Sequence, residues 1–513
     1  MKVRLKMKRE LSAIVIHAIL YILFLLLLLL PSCSAHLISD ESFDVRQHLS
    51  TVSRYGTVKD IVDNSFVPAN IPDTCTPIHL NLVARHGTRA PTKKRMREME
   101  RLASSLQALI ADATERQLSL DNVPAWLFGW TSPWKGKVKG GELVVKGEEE
   151  LYDLGIRIRE KYPNLLNYEY HPDVYTIKAT QVPRASASAV AFAMGLFSGR
   201  GNLGPGNHRA FAVSTESRAS DLLLRFFDTC QSYKNYRINE EPAVEKLKEP
   251  VLDEITSTFS VRYGLNFTRQ DVSSLWFLCK QEASLLDITN QACGLFNPTE
   301  IALLEWTDDL EGFILKGYGN SVNYRMGLPL LKDVVESMDL AIKANKEALP
   351  DGSYEKARLR FAHAETVVPF SCLLGLFLEE SDYNLILKEK SMPLPPKPPQ
   401  RRTWRGSVVA PFAGNNMLVL YSCPASRANS SNYFVHVLHN EHPIPLPGCG
   451  NSDFCPFEVF KERIFEPHLK HDYHAICTVK DAVVEPAPSK LSSLFGWLFS
   501  QKSDGKESQN VDL

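Results

Sequence analysis

Several features that would place this 513-residue chain in a simple class are missing from its sequence. Neither sign of charge dominates, because 58 Lys and Arg stand against 59 Asp and Glu, so nothing global favours nucleic acid as a partner. The ten cysteines are too dilute for a small disulfide-stapled domain, and there is no internal repeat. A hydrophobic content of 44% with 23% charged residues excludes a mainly disordered chain.

One long hydrophobic run is present, and it lies at the N-terminus. Five basic residues precede Leu11 to Leu30, and Pro31 and the small residues 33–35 follow. This three-part pattern predicts a cleaved secretory signal peptide over residues 1–35, with an uncleaved membrane anchor as the alternative. Either way the rest of the chain enters the secretory pathway, where the endoplasmic reticulum lumen, the vacuole and secretion are all compatible destinations.

Removal of residues 1–35 changes the charge and the cysteine count. Five basic residues and Glu10 leave with that segment, so 53 basic and 58 acidic residues remain, a net charge of −5. Nine cysteines remain, and in an oxidising lumen we expect pairing to leave one free, Cys372 in its apolar stretch. Asn266 and Asn429 begin Asn-X-Ser/Thr sequences, which predicts N-glycosylation at both.

Alternating strand and helix patterns predict an α/β fold interrupted by helices. Strand patterns occur at 78–83, 175–179, 359–362, 417–421 and 433–438. We expect a signal peptide (1–35), an N-terminal arm (36–70), the α/β domain in two parts (71–214 and 346–484) around an α-helical insertion (215–345), and a flexible tail (485–513). Thr366 is the expected cap of the helix after the 359–362 strand, with Pro369 in its first turn.

The segment Ala84 to Thr92 (Ala-Arg-His-Gly-Thr-Arg-Ala-Pro-Thr) concentrates residue types suited to phosphoryl chemistry. The guanidinium groups of its two arginines match phosphate oxygens in a bidentate way. Imidazole can attack phosphorus and form a phosphohistidine. Gly87 leaves room for a substrate to approach. A structural histidine between surface arginines is the alternative, and the fixed spacing at a strand end argues against it.

Arg-His-Gly-X-Arg-X-Pro resembles the signature of the histidine acid phosphatases. The stretch 361–365 (Phe-Ala-His-Ala-Glu) resembles the His-Ala-Glu variant of the multiple inositol polyphosphate phosphatases in that family, and 304–310, 316–320 and 411–423 are also similar to that subfamily. The resemblance covers roughly residues 70–480. It implies a phosphoglycerate-mutase-like mixed sheet flanked by helices, with an α-helical cap domain.

The resemblance implies a role for each matching residue. His86 would be the nucleophile, and Glu365 would be the proton donor to the leaving alcohol. In a strand, Glu365 would project to the same side as His363. The residues implied to hold and stabilise the transferring phosphate are Arg85, Arg89, Arg184 and His363.

The implied reaction is hydrolysis of inositol polyphosphates such as inositol hexakisphosphate. Because Glu365 must carry a proton at the start, we expect an acidic working pH. A broad-specificity or 2,3-bisphosphoglycerate acid phosphatase is the alternative among enzymes, and a phosphate-binding protein without turnover is the alternative from another class. We expect a monomer whose partner is the small polyphosphate, with no nucleic acid and, apart from an uncleaved anchor, no membrane.

A polyphosphate needs more cations than one phosphate site supplies. Lys93 and Lys94 directly follow the motif, so both, together with Thr92, are predicted to bind substrate. The alternative for the two lysines is a solvated charged face.

Neither a metal nor a cofactor is expected. His471, Asp472 and His474 lie close together in the sequence, but no further ligands accompany them. We therefore interpret this cluster as structural or as part of the surface.

The resemblance extends to the disulfides of secreted phytases. It implies the pairs Cys75–Cys423, Cys230–Cys477, Cys279–Cys293 and Cys449–Cys455, with Cys372 free. Spacing alone could not choose among the many possible pairings.

Overall fold

A computed structural model describes residues 43–62, 64–424 and 432–478. The predicted signal peptide, the predicted tail and the acceptor Asn429 lie outside the described residues. The described residues from Val45 onward form one compact unit. Within the described ranges, no helix combines the length and the apolar character needed to cross a membrane.

A mixed sheet forms the centre of the fold, as predicted. Its strands within the described residues are β1 (Thr76–Arg85), β2 (Tyr175–Ala179), β3 (Ala357–Ala362), β4 (Asn415–Ser422), β5 (Tyr433–His439), β6 (His442–Pro443) and β7 (Phe454–Pro456). Their order is β2-β3-β1-β4-β5-β6, and β7 also pairs with β5. β3 is parallel to both β1 and β2, whereas β4 to β7 pair in antiparallel fashion. The parallel strands therefore form one side of the sheet.

Helices cover the sheet and build a further layer. In chain order the described α-helices are α1 (Tyr55–Val58), α2 (Lys93–Glu115), α3 (Val145–Lys161), α4 (Pro163–Leu166), α5 (Pro183–Leu196), α6 (Phe226–Thr229), α7 (Gln231–Tyr263), α8 (Arg269–Gln281), α9 (Pro298–Lys316), α10 (Ser321–Arg325), α11 (Leu328–Lys346), α12 (Ala364–Leu373), α13 (Glu380–Leu387), α14 (Gly406–Val409), α15 (Phe457–Phe460), α16 (Glu466–Leu469) and α17 (Tyr473–Cys477). Two π-helical segments, Glu282–Leu286 and Lys461–Phe465, extend α8 and α15.

The two faces of β1 contact different helices because successive side chains of a strand point in opposite directions. Leu80 and Leu82 pack in a cluster with apolar residues of α3 and α5. On the other face, the polar side chains of His79 and Asn81 meet Ser337 of α11, whose Oγ lies 3.1 Å from His79 Nε2 and 3.0 Å from Asn81 Nδ2. These hydrogen bonds offset the free-energy cost of removing the polar side chains from water.

The helical layer does not coincide with the predicted 215–345 insertion. One hydrophobic cluster combines Met99 of α2 with Val251 of α7, Leu275 of α8 and Leu304 of α9, so α2, from the predicted first α/β part, belongs to this layer. Conversely, α11 packs against β1 through Ser337. An amphipathic pattern shows that a helix has a buried face but not which layer it is buried against.

The structure contains four disulfides among the described residues. They join Cys75 to Cys423, Cys230 to Cys477, Cys279 to Cys293 and Cys449 to Cys455, the same pairs that the resemblance implies. Cys372 is the free cysteine of the described part of the chain, and it is buried.

Candidate active site

The carboxyl ends of the three parallel strands converge on one place. The last residue of β1, Arg85, pairs with Ala362, the last residue of β3, and the last residue of β2, Ala179, pairs with Phe361. The residues that follow these strands, His86, Thr180 and His363, therefore come together. The rings of His86 and His363 are 5.5 Å apart, and Thr180 Oγ1 lies 2.9 Å from His363 Nε2. Open α/β sheets place ligands at this edge.

His86 is held as a neutral imidazole. Its Nδ1 lies 2.9 Å from the carbonyl oxygen of Gly87. Because a carbonyl oxygen can only accept, the proton sits on Nδ1 and the lone pair is on Nε2. Burial, followed by the charges of Arg184 and Arg85, keeps the pKa of His86 well below its ordinary value. Imidazole therefore stays unprotonated at pH values at which a free histidine is already protonated.

The loop that carries His86 packs directly on α3. A Cβ at Gly87 would lie 2.2 Å from the backbone oxygen of Gly147, so the close approach requires glycine. Thr88 donates to the Glu150 carboxylate from its backbone N–H at 2.8 Å and from its hydroxyl at 2.9 Å. Gly87 therefore makes room for α3, and not for the substrate as the sequence suggests.

Arg85 is oriented by neutral acceptors. Its Nη1 donates to the carbonyl oxygens of Thr51 at 2.5 Å and Ala410 at 2.8 Å, and its guanidinium lies over the Phe412 ring at 4.5 Å. The side chain is buried, and both burial and the charge of Arg89 lower its pKa. Carbonyl acceptors fix the guanidinium without neutralising its charge.

The N-terminal arm that supplies Thr51 is fastened to α9. Ser50 Oγ donates to Asp309 Oδ1 at 2.7 Å, and His48 Nδ1 lies 3.0 Å from Glu305 Oε2. Arg402 bridges these two carboxylates, at 2.8 Å from Glu305 and 3.0 Å from Asp309. The predicted arm is thus part of the support of the site.

Arg184 and Arg89 complete the group of arginines around His86. Arg184 lies in the first turn of α5, and its Nη2 is 3.5 Å from His363 Nδ1. Arg89 is buried and borders the same cavity as Arg85. Together with His363, these are the residues that the resemblance assigns to the phosphate, and the fold brings them to one place.

Glu365 lies in a helix and not in the predicted strand. β3 ends before His363, and Glu365 belongs to the first turn of α12. Thr366 is not the helix cap, because its hydroxyl donates to the Leu224 carbonyl at 2.7 Å, and Pro369 lies in the interior of α12 rather than in its first turn. A strand-to-helix turn places Glu365 by the helical period, so the alternation expected for a strand does not apply.

The Glu365 carboxylate is paired with Lys316, a lysine for which the sequence pattern indicates no role. Lys316 Nζ, at the end of α9, donates to Glu365 Oε1 at 2.9 Å, and both side chains are buried. Burial opposes ionisation of Glu365, but the charge and hydrogen bond of Lys316 outweigh it, and the pKa lies well below its ordinary value. In the structure Glu365 is therefore ionised, whereas a proton donor must begin protonated.

A cavity of about 500 Å³ opens beside this group. Among the described residues that line it, cations outnumber carboxylates. The cations are Arg85, Arg89, Lys94, Arg95, Arg101, Arg237, Lys248, Lys280 and Lys316, and the carboxylates are Glu98, Glu241, Glu245, Asp308, Asp309 and Glu311. The volume is within the range of small-molecule sites, and the charge excess favours an anionic ligand.

The predicted substrate residues after the motif behave differently from one another. Thr92 and Lys94 line the cavity, whereas Lys93 is exposed and is not among its lining residues. Lys248 of α7 and Lys280 of α8 also line it, although the sequence analysis does not single them out. They lie in helices far along the chain, where a lysine resembles any other solvated charge.

Two lysines from the helices that line the cavity, Lys280 and Lys248, are each paired with a carboxylate. We call these helical lysines, together with Lys316, the wall of the cavity. Lys280 Nζ donates to Asp308 at 2.6 Å, and Asp308 also accepts from the Trp276 indole at 2.8 Å. Lys248 contacts Glu311. The wall therefore contains ion pairs, and both members of each of these two pairs line the cavity.

The remaining predicted residues lie away from these strand ends. His471 Nε2 is 3.2 Å from Glu389, and Asp472 caps α17 by accepting from Ala475 N at 3.0 Å. No group of three or more metal-ligand side chains occurs in the part of the chain that the structure describes. Asn266 is exposed, as a glycosylation acceptor must be.

Comparison with known proteins agrees with this geometry. The sequence model of the "Histidine phosphatase superfamily (branch 2)" matches residues 78–440, which include His86, Arg184, His363 and Glu365. The chain belongs to this family. It is similar to "Multiple inositol polyphosphate phosphatase 1" of Dictyostelium discoideum, with 27% identity over 80% of this chain and 69% of the relative. The Homo sapiens protein of the same name is also 27% identical, over 74% of this chain and 77% of the relative.

Solved structures share the histidine phosphatase fold. The phytase from D. castellii aligns with a TM-score of 0.61 and 20% identity, over 85% of this chain and 88% of the phytase. The Bifidobacterium longum multiple inositol polyphosphate phosphatase, in complex with inositol hexasulfate, aligns with a TM-score of 0.55 and 16% identity, over 82% of this chain and 98% of that one. The predicted mixed sheet flanked by helices is confirmed.

Proposed function

We propose that this histidine phosphatase hydrolyses phosphomonoesters of inositol polyphosphates, inositol hexakisphosphate among them, through a phosphohistidine on His86. The observation that carries the proposal is a buried neutral imidazole among arginines, next to a cavity of about 500 Å³ with an excess of cations. The arginines beside His86 would bind the phosphate that is transferred. The other cations that line the cavity would bind the remaining phosphates of the same molecule. The names of the relatives, and the inositol hexasulfate in the B. longum structure, support this substrate class.

The first chemical step transfers the phosphoryl group to the enzyme. The Nε2 lone pair of His86 attacks phosphorus, and the bond between phosphorus and the ester oxygen breaks. The charge on the equatorial oxygens is stabilised by donors from Arg85, Arg89, Arg184 and His363. Glu365 gives a proton to the departing oxygen. Water then attacks phosphorus, the phosphorus–nitrogen bond breaks, and Glu365 takes up the proton of the water.

Glu365 acquires its proton in the presence of substrate. A bound phosphate brings negative charge close to Glu365 and competes with it for Lys316, and each effect raises the pKa of the carboxyl. Acidic pH supplies the proton, and the neutral state of His86 persists there. The proposed reaction therefore has an acidic optimum, because the nucleophile and the proton donor are then both in the required state.

We infer that the reaction takes place in the secretory pathway. The four disulfides of the structure require an oxidising compartment, and the predicted signal peptide leads to one. The exposed acceptor Asn266 suits the same environment.

The decisive experiment compares wild type with His86→Ala. Phosphate release from inositol hexakisphosphate should fall by on the order of 10⁴-fold or more, since loss of a nucleophile removes the covalent route. His171→Ala, which changes an exposed histidine, is the control and should keep the activity. Activity that survives in His86→Ala would contradict the nucleophile assignment.

The same assay separates the proposed substrate from the alternative. The kcat/KM of wild type is measured with inositol hexakisphosphate, 2,3-bisphosphoglycerate and an aryl phosphate. The proposal expects the highest value for the hexakisphosphate. Equal values for all three would favour a broad-specificity acid phosphatase.

A further inference from the structure

His363 has two close neighbours at one ring nitrogen. Its Nε2 lies 2.9 Å from Thr180 Oγ1 and 2.9 Å from Nη1 of Arg225. At the other nitrogen, Nδ1, Arg184 Nη2 lies at 3.5 Å. The edge of the Phe227 ring completes this surrounding, with ring centroids 6.3 Å apart.

The contact with Arg225 decides where the His363 proton sits. A guanidinium has donors and no acceptor, and each ring nitrogen has one nearby: Arg225 Nη1 lies 2.9 Å from Nε2, and Arg184 Nη2 lies 3.5 Å from Nδ1. The shorter contact decides, so Nε2 accepts from Arg225 and carries no hydrogen. Burial, followed by the charges of Arg184 and Arg225, holds the pKa of His363 well below its ordinary value, so the ring is neutral. The one proton of a neutral ring with a bare Nε2 is on Nδ1.

An Nδ1 proton gives the site a donor where a phosphate needs one. Nδ1–H and the Arg184 Nη2 are then two donors 3.5 Å apart, and an anionic oxygen placed between them accepts from both. The opposite tautomer would present a lone pair to the phosphoryl oxygens and a proton to the Arg225 guanidinium. Both of those contacts would be repulsive.

Arg225 is fixed in place next to His363. Its Nε donates to Asp228 Oδ2 at 2.7 Å, and its guanidinium lies over the Phe227 ring at 5.1 Å. The side chain is almost completely buried, and Arg225 is not among the described residues that line the cavity. Of the groups that the resemblance assigns to the phosphate, Arg225 contacts His363, so we expect its effect on the reaction to pass through that ring.

We propose that Arg225 is a positioning residue that fixes His363 as the Nδ1–H tautomer and so aims a hydrogen-bond donor at the transferring phosphoryl group. The proposal rests on the proposed function for its consequence, but the tautomer itself is a property of the protein without substrate. The charged groups that surround His363 are Arg85 of β1, Arg184 of α5, Glu365 of α12 and Arg225 before α6.

The tautomer can be measured directly. Wild-type protein labelled with ¹⁵N-histidine is examined by two-bond ¹H–¹⁵N correlation at acidic and neutral pH, and His363→Gln identifies the His363 signals by their loss. The proposal expects a protonated Nδ1 and an unprotonated Nε2 at both pH values. A proton on Nε2 would overturn it, whether or not the protein hydrolyses inositol hexakisphosphate.

A double-mutant cycle then tests the route of the effect. Arg225→Met should lower kcat for inositol hexakisphosphate by on the order of 10- to 100-fold, the usual worth of groups that orient a functional histidine. In a His363→Ala background the same change should lower kcat by less than about 2-fold, because the group through which it acts is gone. Equal losses in both backgrounds would mean that Arg225 acts independently of His363, and would overturn the proposal.

A matched control is available next to the same carboxylate. Arg218 is exposed, and its Nε lies 4.0 Å from Asp228 Oδ2. Arg218→Met removes a positive charge near Asp228 without touching His363, and should leave kcat unchanged. If Arg225→Met does not fold, the tautomer of the wild-type protein still tests the proposal. Arg225→Lys and Arg225→Ala then replace it in the activity assay. Arg225→Lys keeps a donor and should retain more activity than Arg225→Ala.

Discussion

The floor and the wall of the cavity hold their cations in different ways. We call the end of β1 with Arg85 and Arg89 the floor, and the set Lys248, Lys280 and Lys316 the wall; all five side chains line the cavity. Arg85 is oriented by the carbonyl oxygens of Thr51 and Ala410. Each wall lysine is instead in contact with a carboxylate: Glu311, Asp308 and Glu365, respectively.

This difference assigns the chemical step to the floor and the recognition of further phosphates to the wall. A carbonyl oxygen orients Arg85 but leaves its full charge for the phosphoryl group, as a transition state requires. A carboxylate neutralises its lysine until a phosphate displaces it or acid protonates it. The floor therefore acts on every phosphomonoester alike, whereas the wall favours polyphosphates and does so more strongly at acidic pH.

The largest expected effect tests the floor. Arg85→Lys keeps the charge but loses the forked guanidinium, so it should lower kcat by about 10²–10³-fold for inositol hexakisphosphate and for an aryl phosphate alike. Steady-state kinetics with both substrates is the measurement. A loss confined to the hexakisphosphate would place Arg85 functionally with the wall and break the distinction.

An intermediate effect is expected where wall and floor meet, at Lys316. Lys316→Met leaves burial as the dominant influence on Glu365 and so raises the pKa of its carboxyl. Since a proton donor loses activity as the pH rises through its pKa, the alkaline limb of the kcat profile should move to higher pH. The KM for inositol hexakisphosphate should also rise by about ten- to a hundredfold, because a hydrogen bond to a charged group is worth ~1.5–3 kcal/mol.

Two variants serve as controls for Lys316. Lys316→Arg retains a cation and should keep the alkaline limb near its wild-type position. Lys280→Met removes a different wall cation, beside Asp308, and should raise KM without moving the limb. An unchanged limb in Lys316→Met would argue against Glu365 as the proton donor.

The smallest expected effect compares the two lysines after the motif. Lys94→Glu should raise KM for inositol hexakisphosphate a few-fold, because Lys94 lines the cavity, whereas the neighbouring Lys93→Glu should have little effect. An aryl phosphate should respond to neither change. Equal KM values for the two variants would mean that both lysines act on the substrate only through long-range electrostatic attraction. High salt would then abolish their effect on KM.

The sequence was informative where a function needs residues close together along the chain. Arg85, His86 and Arg89 lie within five positions, so their spacing alone indicates phosphate chemistry. The pattern was less informative at Glu365, where a strand-like run continues into α12. It also misplaced α2 and α11, because the helical period records a buried face and not the partner of that face.

Other parts of the site could not be read from the chain at all. Arg225 is 138 residues from His363, and Lys316 is 49 from Glu365. Neither belongs to a motif with a chemical meaning of its own, although Lys316 opens a stretch that resembles the family. Such pairs arise from strand order and helix packing, which no local pattern reports.

The sequence by itself pointed to His86 and the signature arginines, and it set the dilute cysteine content of a chain with nearly balanced charge. The tertiary structure decided the charge state and tautomer of each group, since these depend on the partner at each atom. A carbonyl beside His86 Nδ1, a guanidinium beside His363 Nε2 and an ammonium beside Glu365 are brought together by parallel strands that end side by side and by the helices packed against them. Proton positions follow from neighbours in space, and neighbours in space are what folding adds to a sequence.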